Sequence, residues 1–177
     1  MKAFFKLMAG FSFFVTSLAL AQGDDYVLDT GDTISIRVHG EPDLTFETKV
    51  GTNGLLLYPF LGEITLRGRT AAELRWLIDD GLRGDYLLNP EVDVSVIEYR
   101  PFFILGEVQS PKNYPYQPGL TVSQAIAIAG GLTERGSDKG IELKRKAKGG
   151  ETKVVTDIGL DEPLQPGDVI TVKQSFF

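Results

Sequence analysis

PGDVITV, Pro166–Val172, stands near the end of the chain, and TGDTISIRV, Thr30–Val38, stands near its beginning. In both, a Gly-Asp pair precedes apolar residues at alternate positions. Glycine can take the positive φ of a turn, aspartate offers a side-chain acceptor, and the alternation marks a half-buried strand. Two copies of the phrase predict two small sheet modules.

Between the copies the sequence alternates between sheet and helix. LLLYPFLGEITL, 55–66, reads as two short strands bent at Pro59 and Gly62. Thr70 and Glu73 have the spacing of a capping box, in which each side chain satisfies the other residue's unpaired N–H. Ala71, Leu74, Leu77, Ile78 and Leu82 then share one face, so 70–83 is predicted as an amphipathic helix closing over a sheet. NPEVDVSVIEY, from Asn89, alternates Val92, Val94 and Val96 as a strand. Pro101 marks a boundary, FFILGEV at 102–108 reads as a buried strand, and PKNYPYQPG is a proline-rich excursion. Thr121 and Gln124 repeat the capping-box spacing at a second helix, TVSQAIAIAGG, which Gly130-Gly131 stops. IELKRK and ETKVVTD flank Gly149-Gly150, a hairpin turn. The expected fold class is α+β: two small modules, 22–100 and 101–177, each a few mixed strands with one helix.

MKAFFKLMAGFSFFVTSLALAQ opens the chain with Lys2 and Lys6, an apolar run from Leu7 to Leu20, and Ala19-Leu20-Ala21 as a small-x-small cleavage site. That is the pattern of a cleavable secretory signal peptide, 1–21, and the run is shorter than the roughly 20 apolar residues of a spanning helix. Gln22 stands where a lipoprotein would carry cysteine, and the chain has no cysteine at all. Disulfides and thiolate metal sites are thereby excluded, and folding rests on the core that 42% hydrophobic residues supply. The formal net charge of −6 becomes more negative once Lys2 and Lys6 leave with the leader, which argues against nucleic-acid binding.

The ordered series Tyr26-Val-Leu28, Gly31-Asp32, Ile34-x-Ile36-x-Val38, Asn53-Gly54, Pro59-x-x-Gly62, Gly68-Arg69-Thr70 and Asn89-Pro90-x-Val92-x-Val94 resembles the N-terminal domain of the polysaccharide biosynthesis/export family. ILGEVQSPKNYPYQPGLTVSQAIAIAGGLT, 104–133, resembles the soluble-ligand-binding β-grasp (SLBB) domain that follows it there. The resemblance implies a periplasmic, ring-forming homo-oligomer in capsule or exopolysaccharide secretion, peripheral to the outer membrane. The implied partners are an inner-membrane co-polymerase or tyrosine kinase type protein, a separate outer-membrane β-barrel, and the transported polysaccharide. Compared with larger members, the sequence lacks the lipid-bearing cysteine and a second β-grasp repeat. It also ends at Phe177 without a C-terminal amphipathic helix, so the pore is expected from another protein. At Pro111-Lys112 the family typically has Pro-Gly, so either a type I turn or a left-handed Asn113 is expected.

No enzyme is expected, and no cofactor or metal site. The single histidine, His39, lacks a base, nucleophile or ligand set, and no Gly-x-Ser-x-Gly, His-Glu-x-x-His or P-loop is present. Glu41 with Asp43, and Asp79 with Asp80, are turn and helix-end charges, because sequence neighbours rarely flank one glycosidic bond. The alternative to a ring scaffold is a monomeric periplasmic module that binds a saccharide or another small ligand. For that role Tyr99, Tyr114 and Tyr116, with Phe102, are the candidate stacking surfaces. Candidate subunit contacts are Trp76, on the polar side of the first helix, and Lys144, Arg145 and Lys146. Those three gather with Lys139, Lys148 and Lys153 on the hairpin, opposite in sign to the acidic stretch from Gln22 to Asp43.

Overall fold

The computed structural model describes residues 26–147 and 151–175; the leader, Lys148 and the Gly149-Gly150 turn lie outside the described residues. The architecture is α+β, with two separate hydrophobic cores, one in each module.

In the first module, β1 (Thr33–Val38) is the middle strand of an antiparallel sheet, between β2 (Phe46–Lys49) and β5 (Val92–Glu98). Ile34, Ile36 and Val38 are buried, as the alternation requires. The 55–66 stretch forms the hairpin β3 (Leu55–Tyr58) and β4 (Gly62–Thr65), turned between Pro59 and Gly62. Helix α1 (Ala71–Leu82) packs against β5 and buries Leu74, Ile78 and Leu82. Its capping box is complete: Glu73 N–H donates to Thr70 Oγ1 at 3.1 Å and Thr70 N–H donates to Glu73 Oε2 at 2.8 Å.

In the second module the strands run β6 (Phe102–Gly106), β7 (Lys112–Tyr114), β8 (Gly136–Lys146), β9 (Thr152–Thr156) and β10 (Val169–Gln174) along the chain. Across the sheet the order is β7-β6-β10-β8-β9, with β10 parallel to β6 and antiparallel to β8. The closing Gly-Asp strand therefore fills the middle of the sheet, as in a β-grasp. Helix α2 (Val122–Ile128) lies over it and buries Val122, Ala125 and Ile126 against a core that includes Phe102, Ile104, Ile141, Leu143 and Ile170. Its capping box pairs Thr121 with Gln124, and Gly130 and Gly131 end it at φ of 88° and 89°.

Two short strands differ from the expectations. FETK becomes the edge strand β2, and the proline-rich excursion contributes β7 at the other sheet's edge. Lys112 and Asn113 are extended residues of β7 facing Ile104 and Phe103, so neither a type I turn at Lys112 nor a left-handed Asn113 occurs. No helix among the described residues is long and apolar enough to cross a membrane.

A candidate binding cavity at the seam between the modules

The two Gly-Asp phrases fold into the same device. In each, the aspartate N–H donates to a carbonyl three residues earlier, Asp32 to Asp29 at 3.2 Å and Asp168 to Gln165 at 3.1 Å. Gly31 and Gly167 sit at φ of 101° and 85°, the third place of a turn that needs a left-handed residue. The aspartate side chain then turns back and accepts the N–H of the residue that opened the turn, from Asp29 at 2.9 Å and from Gln165 at 2.7 Å. Both carboxylates are buried, and each is neutralised by an arginine. Arg145 grips Asp168 through Nε and Nη2 at 2.9 and 2.7 Å and also donates to Pro163 O at 2.8 Å. Arg100 binds Asp32 through its backbone N–H at 2.8 Å and its Nη1 at 2.9 Å.

Arg100 belongs to the short connection between β5 and β6 and touches both turns. A Cβ on Gly31 would fall 3.2 Å from Arg100 Cβ, and one on Gly167 would fall 2.9 Å from Arg100 Nε. Only glycine leaves room for this side chain to pass between the modules. Arg100 Nη1 also donates to the Tyr26 hydroxyl at 2.7 Å, and that hydroxyl donates to Asp32 Oδ2 at 2.8 Å. Burial, with the Asp32 charge beside it, pushes the Tyr26 phenol far above its ordinary range, so it stays a donor.

A second tie crosses the seam at Asp29. Lys146, at the end of β8, donates to Asp29 Oδ2 at 2.9 Å, and Arg67 Nε lies 3.2 Å from Oδ1. Burial alone would raise the Asp29 pKa, but the hydrogen bonds from Lys146 and from Thr30 N–H, with the charges of Lys146 and Arg100, outweigh it and lower the pKa.

Between these ties lies a cavity of about 820 Å³ whose walls come from both modules, among them Tyr26, Asp29, Arg67, Tyr99, Arg100, Tyr116 and Lys146. Tyr26, Tyr99 and Tyr116 form a run of edge-to-face rings with centroid separations of 5.0 and 5.6 Å. The Tyr116 hydroxyl is anchored on Leu164 O at 3.0 Å, and burial raises its pKa.

The candidate residues are distributed unevenly with respect to this site. Tyr99 and Tyr116 line the cavity together, whereas Tyr114 is buried in the second core, with its ring against Phe102 at 5.9 Å and its hydroxyl on Ser110 O at 2.7 Å. Of the basic trio, Lys146 reaches the seam, Arg145 is taken up by Asp168, and Lys144 lies 3.5 Å from Glu142. Trp76 is 67% exposed on α1. His39 is exposed, and Asp79 pairs with Arg83 along the helix at 2.5 Å. Sequence reasoning missed Tyr26, Arg67 and Arg100 as parts of this site: Tyr26 meets Asp32 six residues on, but its contact with Arg100 and that of Arg67 with Asp29 join distant stretches of the chain.

Residues 20–97 match the profile of the polysaccharide biosynthesis/export protein family, and residues 101–156 match the SLBB domain. The chain thus carries an export domain of that family followed by an SLBB domain. The exopolysaccharide production protein ExoF of Rhizobium meliloti is 32% identical over 139 residues, covering 72% of this chain and 32% of its own length. The EPS I polysaccharide export outer membrane protein EpsA of Ralstonia nicotianae is 28% identical over 187 residues, covering 88% of this chain and 49% of its own length. The polysialic acid transport protein KpsD of Escherichia coli is 27% identical over 124 residues, covering 68% of this chain and 22% of its own length. This chain thus spans half or less of the length of each of these relatives.

Proposed function

We propose that this chain is a periplasmic, ring-forming component of a capsular or exopolysaccharide export machine. A cleavable leader delivers it to the periplasm, where it lies against the outer membrane without a lipid anchor. There it links an inner-membrane polysaccharide co-polymerase or tyrosine kinase type protein to a separate outer-membrane β-barrel. The observation that carries this reading is the order of an export domain and an SLBB domain in a chain whose relatives are named for exopolysaccharide production, polysaccharide export and polysialic acid transport. The seam supports a scaffold role, since Arg100 packs close to Gly167 and the Asp29–Lys146 pair bridges the modules. The chain contributes geometry to the machine, and catalysis has no part in this reading.

Trp76 on α1 and Lys144 on β8 are the proposed subunit contacts. A ring needs a heterologous interface, in which one surface of each copy meets a different surface of the next, and exposed tryptophan is a frequent anchor of such contacts. Size-exclusion chromatography with light scattering, on the chain alone and with the inner-membrane partner, tests the assembly. The expected result is a mass of several chains that falls in Trp76→Ala while circular dichroism stays unchanged. A monomer under both conditions would overturn the ring.

A further inference from the structure

We infer that the seam cavity is a binding site for an acidic saccharide, a sugar chain bearing carboxylates. The inference deepens the export reading, on which it rests for the source of the sugar. The cavity volume of about 820 Å³ lies within the roughly 300–1,000 Å³ of ligand sites, and both modules wall it. Its aromatic run of Tyr26, Tyr99 and Tyr116 offers apolar faces of the kind that pack against sugar rings. The Tyr99 hydroxyl makes no hydrogen bond among the described residues, which leaves it for a sugar hydroxyl.

Charge selects the class of sugar. The walls carry three cations, Arg67, Arg100 and Lys146, against one acid, Asp29, in a chain whose net charge is −6. Counting the buried Asp32 behind Arg100 still leaves the site positive. The cations also keep donors in reserve. Lys146 spends one ammonium proton on Asp29 and retains two. Arg100 spends Nη1 on Tyr26 and Asp32, while its Nε and Nη2 make no hydrogen bond among the described residues. Among the described residues no buried side-chain polar atom lacks a partner, so these spare donors lie where solvent or a ligand reaches them. Spare cationic donors beside an edge-to-face run of rings suit a carboxylate attached to a pyranose.

Isothermal titration of the purified chain with tetragalacturonate, and with neutral maltotetraose as the control, tests the site. Tetragalacturonate should bind and maltotetraose should not. Tyr99→Ala and Lys146→Gln should each weaken binding by about tenfold, while Tyr99→Phe, which keeps the ring, should stay within about twofold. Thermal unfolding of each variant separates lost binding from lost folding. No binding of tetragalacturonate, equal binding of maltotetraose, or binding that Tyr99→Ala and Lys146→Gln in their folded state leave unchanged would overturn the site. Complementation of a deletion strain separates the two readings. Export that needs the chain, with no tetragalacturonate bound, rejects the cavity and keeps the export role. Cavity-dependent binding in a chain that export does not need rejects the export role and keeps the cavity.

Discussion

Asp168 carries a structural charge whose whole value depends on one partner. It is 1% exposed, and Arg145 holds it through two nitrogens while the Gln165 N–H holds it through a third contact. Removing one member of a buried ion pair leaves the other uncompensated and costs roughly 3–5 kcal/mol. Arg145 retains some access to water, which places Asp168→Ala near the lower end, about 3 kcal/mol, in urea denaturation. A loss below about 1 kcal/mol would show that the turn, and not the charge, is what matters. The same geometry makes reversal of Arg145 a test of folding, so assembly is better tested at Lys144 and Trp76. The Gly-Asp phrases were legible because turn chemistry is local. Their arginines were not, since Arg100 stands 68 positions from Asp32 and no local pattern joins them.

Helix α1 was legible down to its capping box because a cap is a contact between neighbours in sequence. Thr70→Ala removes the acceptor for Glu73 N–H and should cost about 1 kcal/mol of stability, measured by thermal or chemical denaturation. Trp76→Ala, on the exposed side of the same helix, should change monomer stability by less than about 0.5 kcal/mol. The strands that alternate cleanly, β1 and β5, were equally plain, because one face of each is buried. β2 and β7 escaped notice for a physical reason. Both are short edge strands, and their few residues are set by pairing with β1 and β6 more than by their own apolar pattern. Likewise, the charge of Lys146 was readable but its partner was not. The acidic segment that sequence pairs with the basic hairpin across subunits supplies Asp29 within the same chain.

At the scale of the molecule, the seam ties stability to pH through Asp29. Its folded pKa is lowered from the ordinary 3.8, so the stability it contributes is fully present above that value and is lost as pH falls through the depressed one. Asp29→Asn should therefore flatten the fall in stability as pH drops below about 4 relative to the parent, read by denaturation at each pH. An unchanged slope would remove Asp29 from the seam's charge balance. Whether the chain serves export is decided by deleting the gene and separating cell-bound from released polysaccharide. The deletion strain should still make polymer but retain it, and release should return with the intact chain; release at the parental level without the chain would exclude an export role.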